Sequence, residues 1–170
     1  VLDRLRAQYP IEVHIVTDPY YYKYLGKFGK TNTLNEAQKI LPDVHFHEWK
    51  EVDFADIICS CDLAVIPMNL NDPFLAGKPE NKLLLLWRMA MPVVTSATPA
   101  YVRALQAAGM NYTARDDADW LTMLESLIGD VVMREQAGLM GKAYVERAFS
   151  EAAFLARWDS VFESLGWPCR

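Results

Sequence analysis

The residues best suited to chemistry lie in a polar loop and helix start within residues 67–92, PMNLNDPFLAGKPENKLLLLWRMAMP. A helix is predicted to open at Glu80, Asn81 and Lys82. Because free backbone N–H groups at a helix start attract anions, this start is a natural phosphate site. Lys82 stands in the first turn, where a cation opposes the helix dipole unless an anion is bound. Lys78 and Lys82 together indicate a site that binds a diphosphate. The alternative, that both are ordinary surface lysines, has equal weight.

Aromatic side chains follow two of the predicted strands. Trp49 stands at the carboxyl end of one strand, where a planar ring covers a nucleobase or fills the edge of the sheet. Residue type alone favours the second role. Four tyrosines follow an earlier strand: Tyr20, Tyr21, Tyr22 and Tyr24. They either line a cleft or belong to a helix that packs on the sheet edge.

The histidines and cysteines give little sign of a metal site. His45 and His47 alternate along a predicted strand and share one face, but we find no acid or cysteine at a suitable spacing. Ordinary strand histidines are therefore favoured, and neither a metal nor another cofactor is expected. Cys59 and Cys61 lie on a predicted helix and point about 200° apart, which disfavours a disulfide between them. An odd number of cysteines, with Cys169 near the end, favours a reducing, cytoplasmic compartment.

Short apolar strands alternate with helical patterns along the first two thirds of the chain. Strands are predicted at 11–17, 44–49, 63–67, 92–95 and 110–113, and helices at 1–9, 54–61, 81–91 and 98–109. This alternation predicts an α/β fold, a Rossmann-like parallel sheet with helices on both faces. Ligands of such sheets bind beyond the carboxyl ends of the strands, which is where the loop before Lys82 lies. The last third is predicted to be helical, with one helix that includes Leu121 to Ile128 and ends at Gly129, a second over 131–149 and a third after Ser150.

Length and composition describe one soluble globular domain over residues 1–170. Hydrophobic residues make up 52% and charged residues 23% of the chain, as is usual for a protein with a packed core. The net charge of -5 argues against nucleic-acid binding, which needs clustered positive charge. The longest apolar run, 83–87, is far shorter than a membrane span. No secretory signal pattern opens the chain.

The order and spacing of four motifs resemble the C-terminal, donor-binding domain of GT-B glycosyltransferases, especially the retaining glycosyl transferases of group 1. The motifs are HFHEW, CDLAVIPM, KPENKL and RMAMPVVTS. They place Trp49 at a strand end, Asp62 before an apolar strand that ends in proline, and Lys82 ten residues before a Pro-Val-Val strand. The resemblance covers about residues 44–165 and includes the closing helix with Trp158.

The resemblance implies that Lys82 contacts the diphosphate of a nucleotide-sugar, with Glu80 and Asn81 beside it and Trp49 near the base. Lys78 is expected to contribute to the same diphosphate site. Such enzymes need no metal for the diphosphate, because cations and helix N–H groups neutralise the leaving group. The implied reaction is glycosyl transfer to a saccharide or lipid-linked acceptor. A missing N-terminal domain would hold that acceptor, and the full protein is expected at the membrane surface.

The chain departs from the family at the carboxylates that hold the donor. Gly77 and Leu85 stand where many retaining members have glutamates, and Ala90 stands where the family has a glycine. Gly77 and Glu80 are still expected to lie near the sugar or the nucleotide, and no residue is assigned as catalytic. The departures leave two alternatives: a degenerate, non-catalytic domain used for binding or assembly, and a related sugar-nucleotide epimerase.

The start of the chain also departs from the family. Residues 1–9 predict a helix, whereas the family opens with a strand and a glycine-rich turn. We therefore expect a fragment that lacks the acceptor domain and a central strand, and that is inactive alone. A flavodoxin-like signalling or binding domain fits less well. A binding domain of this kind would have its phosphate loop at DPYYYKY. A signalling domain would have its phospho-acceptor aspartate after 63–67. Neither stretch has the required residues.

Overall fold

A computed structural model describes residues 1–22 and 29–167. The chain divides into two compact units, Val1–Ile58 and Cys59–Arg170, and each is described by itself. Both units combine helices with short strands, which confirms the predicted α/β class. A compact unit is not necessarily an independent domain, so the single domain over residues 1–170 stays a prediction. Tyr24 and Cys169 lie outside the described residues.

The first unit is built around two parallel strands. Its elements are α1 (Leu2–Arg6), β1 (His14–Thr17), β2 (Tyr20–Tyr22), β3 (Lys30–Asn32), α2 (Thr33–Gln38), β4 (His45–Glu48) and α3 (Phe54–Cys59). Strands β1 and β4 pair in parallel, with His14 opposite His45 and Thr17 opposite Glu48. Both strands occur where the alternation of residues predicts them, although β1 begins three residues later than expected.

The tyrosine cluster forms a strand that the sequence analysis missed. Strand β2 pairs antiparallel with β3, and Tyr20 lies opposite Asn32. All three tyrosines of β2 are exposed. The strand replaces the predicted helix on a sheet edge, and the role as a cleft lining stays a prediction. Aromatic residues favour strands as well as clefts, so residue type alone does not separate these outcomes.

Within its described residues, the second unit places three parallel strands among six helices. Its elements are β5 (Ala64–Ile66), α4 (Pro73–Ala76), α5 (Asn81–Arg88), β6 (Val93–Ser96), α6 (Pro99–Ala107), β7 (Thr113–Ala114), α7 (Asp117–Gly129), α8 (Val131–Ala148) and α9 (Glu151–Ser164). The strand order is β5-β6-β7. All four residues of β6 are buried, as expected for a central parallel strand. Within the described ranges, no helix is both long enough and apolar enough to cross a bilayer.

The single sheet predicted for the chain is not shown among the described residues. The strands make three small sheets of two, two and three strands, and two of the three are parallel. Strand β7 is only two residues long, whereas the sequence predicts residues 110–113. The coarse α/β class therefore holds, and the Rossmann-like arrangement stays a prediction.

Side-chain caps fix the start of most helices. The residues Asn32, Asp72, Thr98, Asp116, Asp130 and Ser150 each accept a hydrogen bond from a backbone N–H in the first turn. The predicted helix starts at Thr98 and Ser150 are thus confirmed. Helices α1 and α5 differ, because their N-cap residues Val1 and Glu80 make no such bond. The start of α5 therefore keeps backbone donors that a cap would otherwise satisfy.

Helices α5 and α8 pack at very short range through two glycines. Trp87 of α5 is almost fully buried. A Cβ atom added at Gly141 would lie 2.3 Å from its ring. A Cβ atom added at Gly138 would lie 1.9 Å from the backbone oxygen of Ala90. The close approach of the two helices therefore depends on the absence of side chains at these positions.

Helix α9 carries an apolar stripe that it does not bury. Phe154 is 56% and Trp158 48% exposed, and no residue of this helix is buried. The rings of Trp158 and Phe162 stack with centroids 5.9 Å apart, and Phe162 stacks on Trp167 at 5.8 Å. The stripe is therefore held together by aromatic contacts along the helix rather than by the core.

Two buried threonines near the end of β6 differ in their hydrogen bonds. Thr95 and Thr98 are both fully buried. The hydroxyl of Thr98 accepts from the N–H of Tyr101 and caps α6, whereas Thr95 Oγ1 has no partner among the described residues. A buried hydroxyl without a partner loses its water and gains nothing in return.

We expect Thr95→Val to raise the free energy of unfolding by about 1 kcal/mol, because valine has the same shape without the unpaired hydroxyl. Urea denaturation followed by circular dichroism measures the change. The control is Thr98→Val, which removes the cap of α6 and should lower stability by about 1 kcal/mol. A loss of stability in Thr95→Val equal to that of the control would show that the Thr95 hydroxyl has a partner.

Candidate functional site

The loop after β5 begins at the carboxyl edge of the three-stranded sheet. The Met68 N–H donates to Ser96 Oγ at 2.7 Å, and this hydroxyl donates in turn to the Met68 oxygen at 3.0 Å. Ser96 is the last residue of β6, so the pair ties the loop to the end of the neighbouring strand. The loop thus starts from the edge where parallel sheets bind their ligands.

Helix α4 lies in the loop between β5 and the predicted site lysines, Lys78 and Lys82. Asp72 caps its start by accepting from the N–H groups of Phe74 and Leu75, and Gly77 forms its C-cap. A Cβ atom at Gly77 would lie 3.2 Å from the Pro73 oxygen, so the turn is tight. The ammonium of Lys78 follows at once and lies 5.6 Å from the ring centroid of Phe74, within the range of a cation–π contact.

The start of α5 brings together the largest group of predicted site residues. Asn81 and Lys82 are its first two residues, and both are exposed. Glu80 is the N-cap, and its carboxylate accepts from Arg103 Nη2 at 3.3 Å through both oxygens rather than from the helix. Among the described residues, Lys82 makes no ion pair. The start of α5 therefore offers backbone N–H donors together with the ammonium group of Lys82, which is not paired with an acid among the described residues.

Arg103 is a residue of the candidate site that sequence reasoning missed. It lies on α6, 23 residues after Glu80, and no motif links the two positions. Its guanidinium is 67% exposed, whereas the Glu80 carboxylate is 16% exposed. The neighbouring Tyr101 has a raised pKa, caused first by burial and second by the negative charge of Glu80. The cation next to Glu80 therefore comes from a second helix, which only the fold could place there.

Two further residues of the family pattern occupy other surroundings. The carboxylate of Asp62 accepts from Arg134 Nη2 at 3.3 Å, so this acid belongs to an ion pair with α8. Leu85, which matches a family glutamate, is half exposed on α5. Its side chain is thus not required by the core.

Trp49 directly follows β4, as predicted. Its N–H donates to the Thr17 oxygen at 2.9 Å and extends the pairing with β1. The side chain is 47% exposed, so it does not fill the core. Trp49 belongs to the first unit, whereas the residues from Gly77 to Lys82 belong to the second. The two groups are therefore described separately.

The first unit also gathers all three histidines of the chain. His14 Nδ1 lies 2.9 Å from His47 Nε2, and the ring of His14 stacks on that of His45 with centroids 4.7 Å apart. Ligand atoms of Glu12, His14 and His45 all lie within 4.8 Å of one another. The expectation that no acid joins the strand histidines is therefore wrong. Spacing along β4 alone could not reveal partners that come from β1.

The cysteines show no sign of a joint site. Neither Cys59 nor Cys61 takes part in a disulfide within the part of the chain that the structure describes. Burial raises the pKa of Cys61, with the nearby charge of Asp62 as a further cause and a hydrogen bond to Ser60 acting in the opposite direction. A raised pKa lowers the fraction of thiolate, which is the reactive form.

Comparisons with protein-family models, with curated proteins and with solved structures find no match for this chain.

Proposed function

We propose that this chain is the donor-binding domain of a GT-B glycosyltransferase, with the diphosphate of a nucleotide-sugar held at the start of α5. The observation that carries the proposal is the uncapped start of α5 beside Lys82. In the helices whose N-cap side chains bond the backbone, at least one of the first-turn N–H donors is already occupied. A phosphate group accepts such N–H bonds and is favoured by the positive end of the helix dipole.

The charges around this start suit a leaving diphosphate. Lys82 lies in the first turn, and Lys78 lies just before it without an ion pair among the described residues. Arg103 neutralises Glu80, so the acid at the N-cap does not cancel the two lysines. Fixed cations and N–H dipoles stabilise the charge that develops on a leaving diphosphate, without a need for a metal.

The local fold supports the same position for the ligand. Strands β5, β6 and β7 are parallel, and the loop with α4 leaves from the carboxyl end of β5. Ligands of Rossmann-like domains bind at such edges, and we propose that arrangement for the complete protein. Ala90 has a φ of 55° at the end of α5. This left-handed region favours glycine. Glycine is also the residue at the position of Ala90 in the family that the chain resembles.

The residues expected to hold the sugar differ from those of the family. Gly77 and Leu85 supply no carboxylate, and the Glu80 carboxylate is engaged by Arg103. We propose that Glu80 and the backbone near Gly77 approach the sugar, and that Trp49 of the first unit lies by the base. Transfer to a saccharide or lipid-linked acceptor would require a further domain, so the chain alone should be inactive. The lack of carboxylates specifically favours the second candidate, a degenerate domain that binds without catalysis.

Calorimetric titration with UDP, GDP, ADP and CMP tests the proposal. We expect one nucleoside diphosphate to bind, and Lys82→Ala to weaken its binding by about tenfold or more, because it removes one charge-assisted contact. Lys39→Ala is the matched control, since Lys39 is an exposed lysine that pairs with Glu36 in the first unit. Its binding constant should equal that of the unaltered chain.

If Lys82→Ala and the control Lys39→Ala bind the nucleotide equally well, the start of α5 is not part of the donor site. A folded chain that binds none of the four nucleotides would contradict the donor-domain proposal itself. If a nucleotide binds, assay of the complete enzyme for transfer and for epimerised product separates the transferase, the epimerase and the degenerate domain.

A further inference from the structure

We propose that Glu12, His14 and His45 bind a divalent metal ion of the zinc class, and that His47 holds His14 in place. The site lies entirely within the first compact unit. The proposal is independent of nucleotide binding at α5, so either can fail without the other.

The convergence of these side chains follows from the pairing of β1 with β4. His14 lies opposite His45 in the parallel register, and neighbouring residues in register point to the same face. His47 shares that face because it lies two residues after His45. Glu12 lies two residues before His14 and its carboxylate oxygen lies 3.8 Å from His14 Nε2. Histidine occurs three times in the chain, and all three occurrences meet here.

The types and distances of these groups match the chemistry of a zinc site. Imidazole nitrogens and carboxylate oxygens are usual zinc ligands, and three protein ligands leave a fourth position for water or another small ligand. A tetrahedral ion with bonds of about 2.1 Å needs ligand atoms about 3.4 Å apart. Atoms of Glu12, His14 and His45 already lie within 4.8 Å of one another. All three residues are exposed, so rotation of the Glu12 and His45 side chains can close the remaining gap while His14 keeps its contact with His47.

The contact between His14 and His47 gives His14 the outer partner that metal-bound histidines usually have. A ligating histidine commonly donates its second ring N–H to a neighbouring acceptor, which fixes the ring and its tautomer. His14 Nδ1 lies 2.9 Å from His47 Nε2. With the proton on Nδ1, the lone pair of His14 is on Nε2, the nitrogen that lies toward Glu12. The same contact would orient His14 even before an ion binds.

Titration of the full chain with ZnCl₂ by calorimetry tests the site. The experiment uses a background in which Cys59, Cys61 and Cys169 are serine, so that thiolates cannot bind the ion. We expect one Zn²⁺ per chain. His14→Gln and His45→Gln should abolish stoichiometric binding, and His47→Gln should weaken it about tenfold, as loss of an outer partner does. Glu12→Gln should weaken it clearly, whereas the control Glu48→Gln, at an exposed glutamate of β4, should have no effect.

A second measurement uses the cysteine-free chain without histidine substitutions. In a nitrogen-15 spectrum of the histidine rings, Zn²⁺ should shift Nε2 of His14 and leave its Nδ1 protonated. No binding at one equivalent would overturn the proposal, and so would binding that survives both His14→Gln and His45→Gln. Far-UV circular dichroism of each variant, equal to that of the background, ensures that lost binding reflects the ligand and not the fold.

Discussion

Gly138→Ala is expected to lower the free energy of unfolding by about 3 kcal/mol, a large overpacking effect for a single methyl group. The added Cβ atom would lie 1.9 Å from the oxygen and 2.8 Å from the carbon of Ala90. Both are backbone atoms, so no side-chain rotation relieves the clash and α5 and α8 must separate. Chemical denaturation of the purified variant, followed by circular dichroism, measures the loss.

The matched control for this prediction is Ala143→Gly, an exposed position on the same helix. It reports the difference in helix propensity between the two residues, which favours alanine by about 1 kcal/mol. Propensity alone would therefore make Gly138→Ala more stable. A gain of stability in Gly138→Ala would contradict the close approach of the two helices at this point.

Trp87→Ala is expected to cost about 4 kcal/mol, since a buried tryptophan leaves a large cavity when it is truncated. The ring is 1% exposed. It packs against Gly141 and meets Tyr144 edge-on, with centroids 5.7 Å apart. The variant should unfold at a much lower denaturant concentration. An average domain has a total stability of about 5 to 15 kcal/mol, so the loss is a large share.

Trp158→Ala provides the comparison, because Trp158 is half exposed on α9. Its loss should cost about 1 kcal/mol, the contribution of one aromatic pair and a partly buried ring. Similar losses in the two variants would show that Trp87 is not a core residue. The double variant Trp87→Leu with Gly141→Ala gives a further check. The cost of Gly141→Ala should fall when the large ring opposite it is reduced.

Most elements of the fold could be predicted from local sequence signals. The starts of α6 and α9 follow from a hydroxyl that caps the first turn, and the starts of β5 and β6 follow from short apolar runs. Such signals act within a few residues, so they are legible in a single sequence. The pairing of β2 with β3 was missed because exposed tyrosines show no alternation of buried and exposed positions.

The candidate sites were predictable only in part, for the same physical reason. Lys82 and Asn81 could be found, since a helix start and its first-turn cation are neighbours in sequence. Arg103 and the histidine cluster could not, because their partners come from other elements. The partner of Arg103 is 23 residues away and that of His14 is 33 residues away. Only the pairing of strands and helices brings such groups together, and no spacing rule on one element reports it.

The exposed face of α9 bears on how the chain fluctuates. A helix that buries no residue gains little from the core, and its stability comes from the Ser150 cap and the ladder of stacked rings. Segments with few buried contacts open locally at a much smaller free energy than the core elements do. Helix α9 should therefore unwind and reform many times while β6 and α5 remain folded. The second unit would then behave as a rigid core that carries one fast-opening helix.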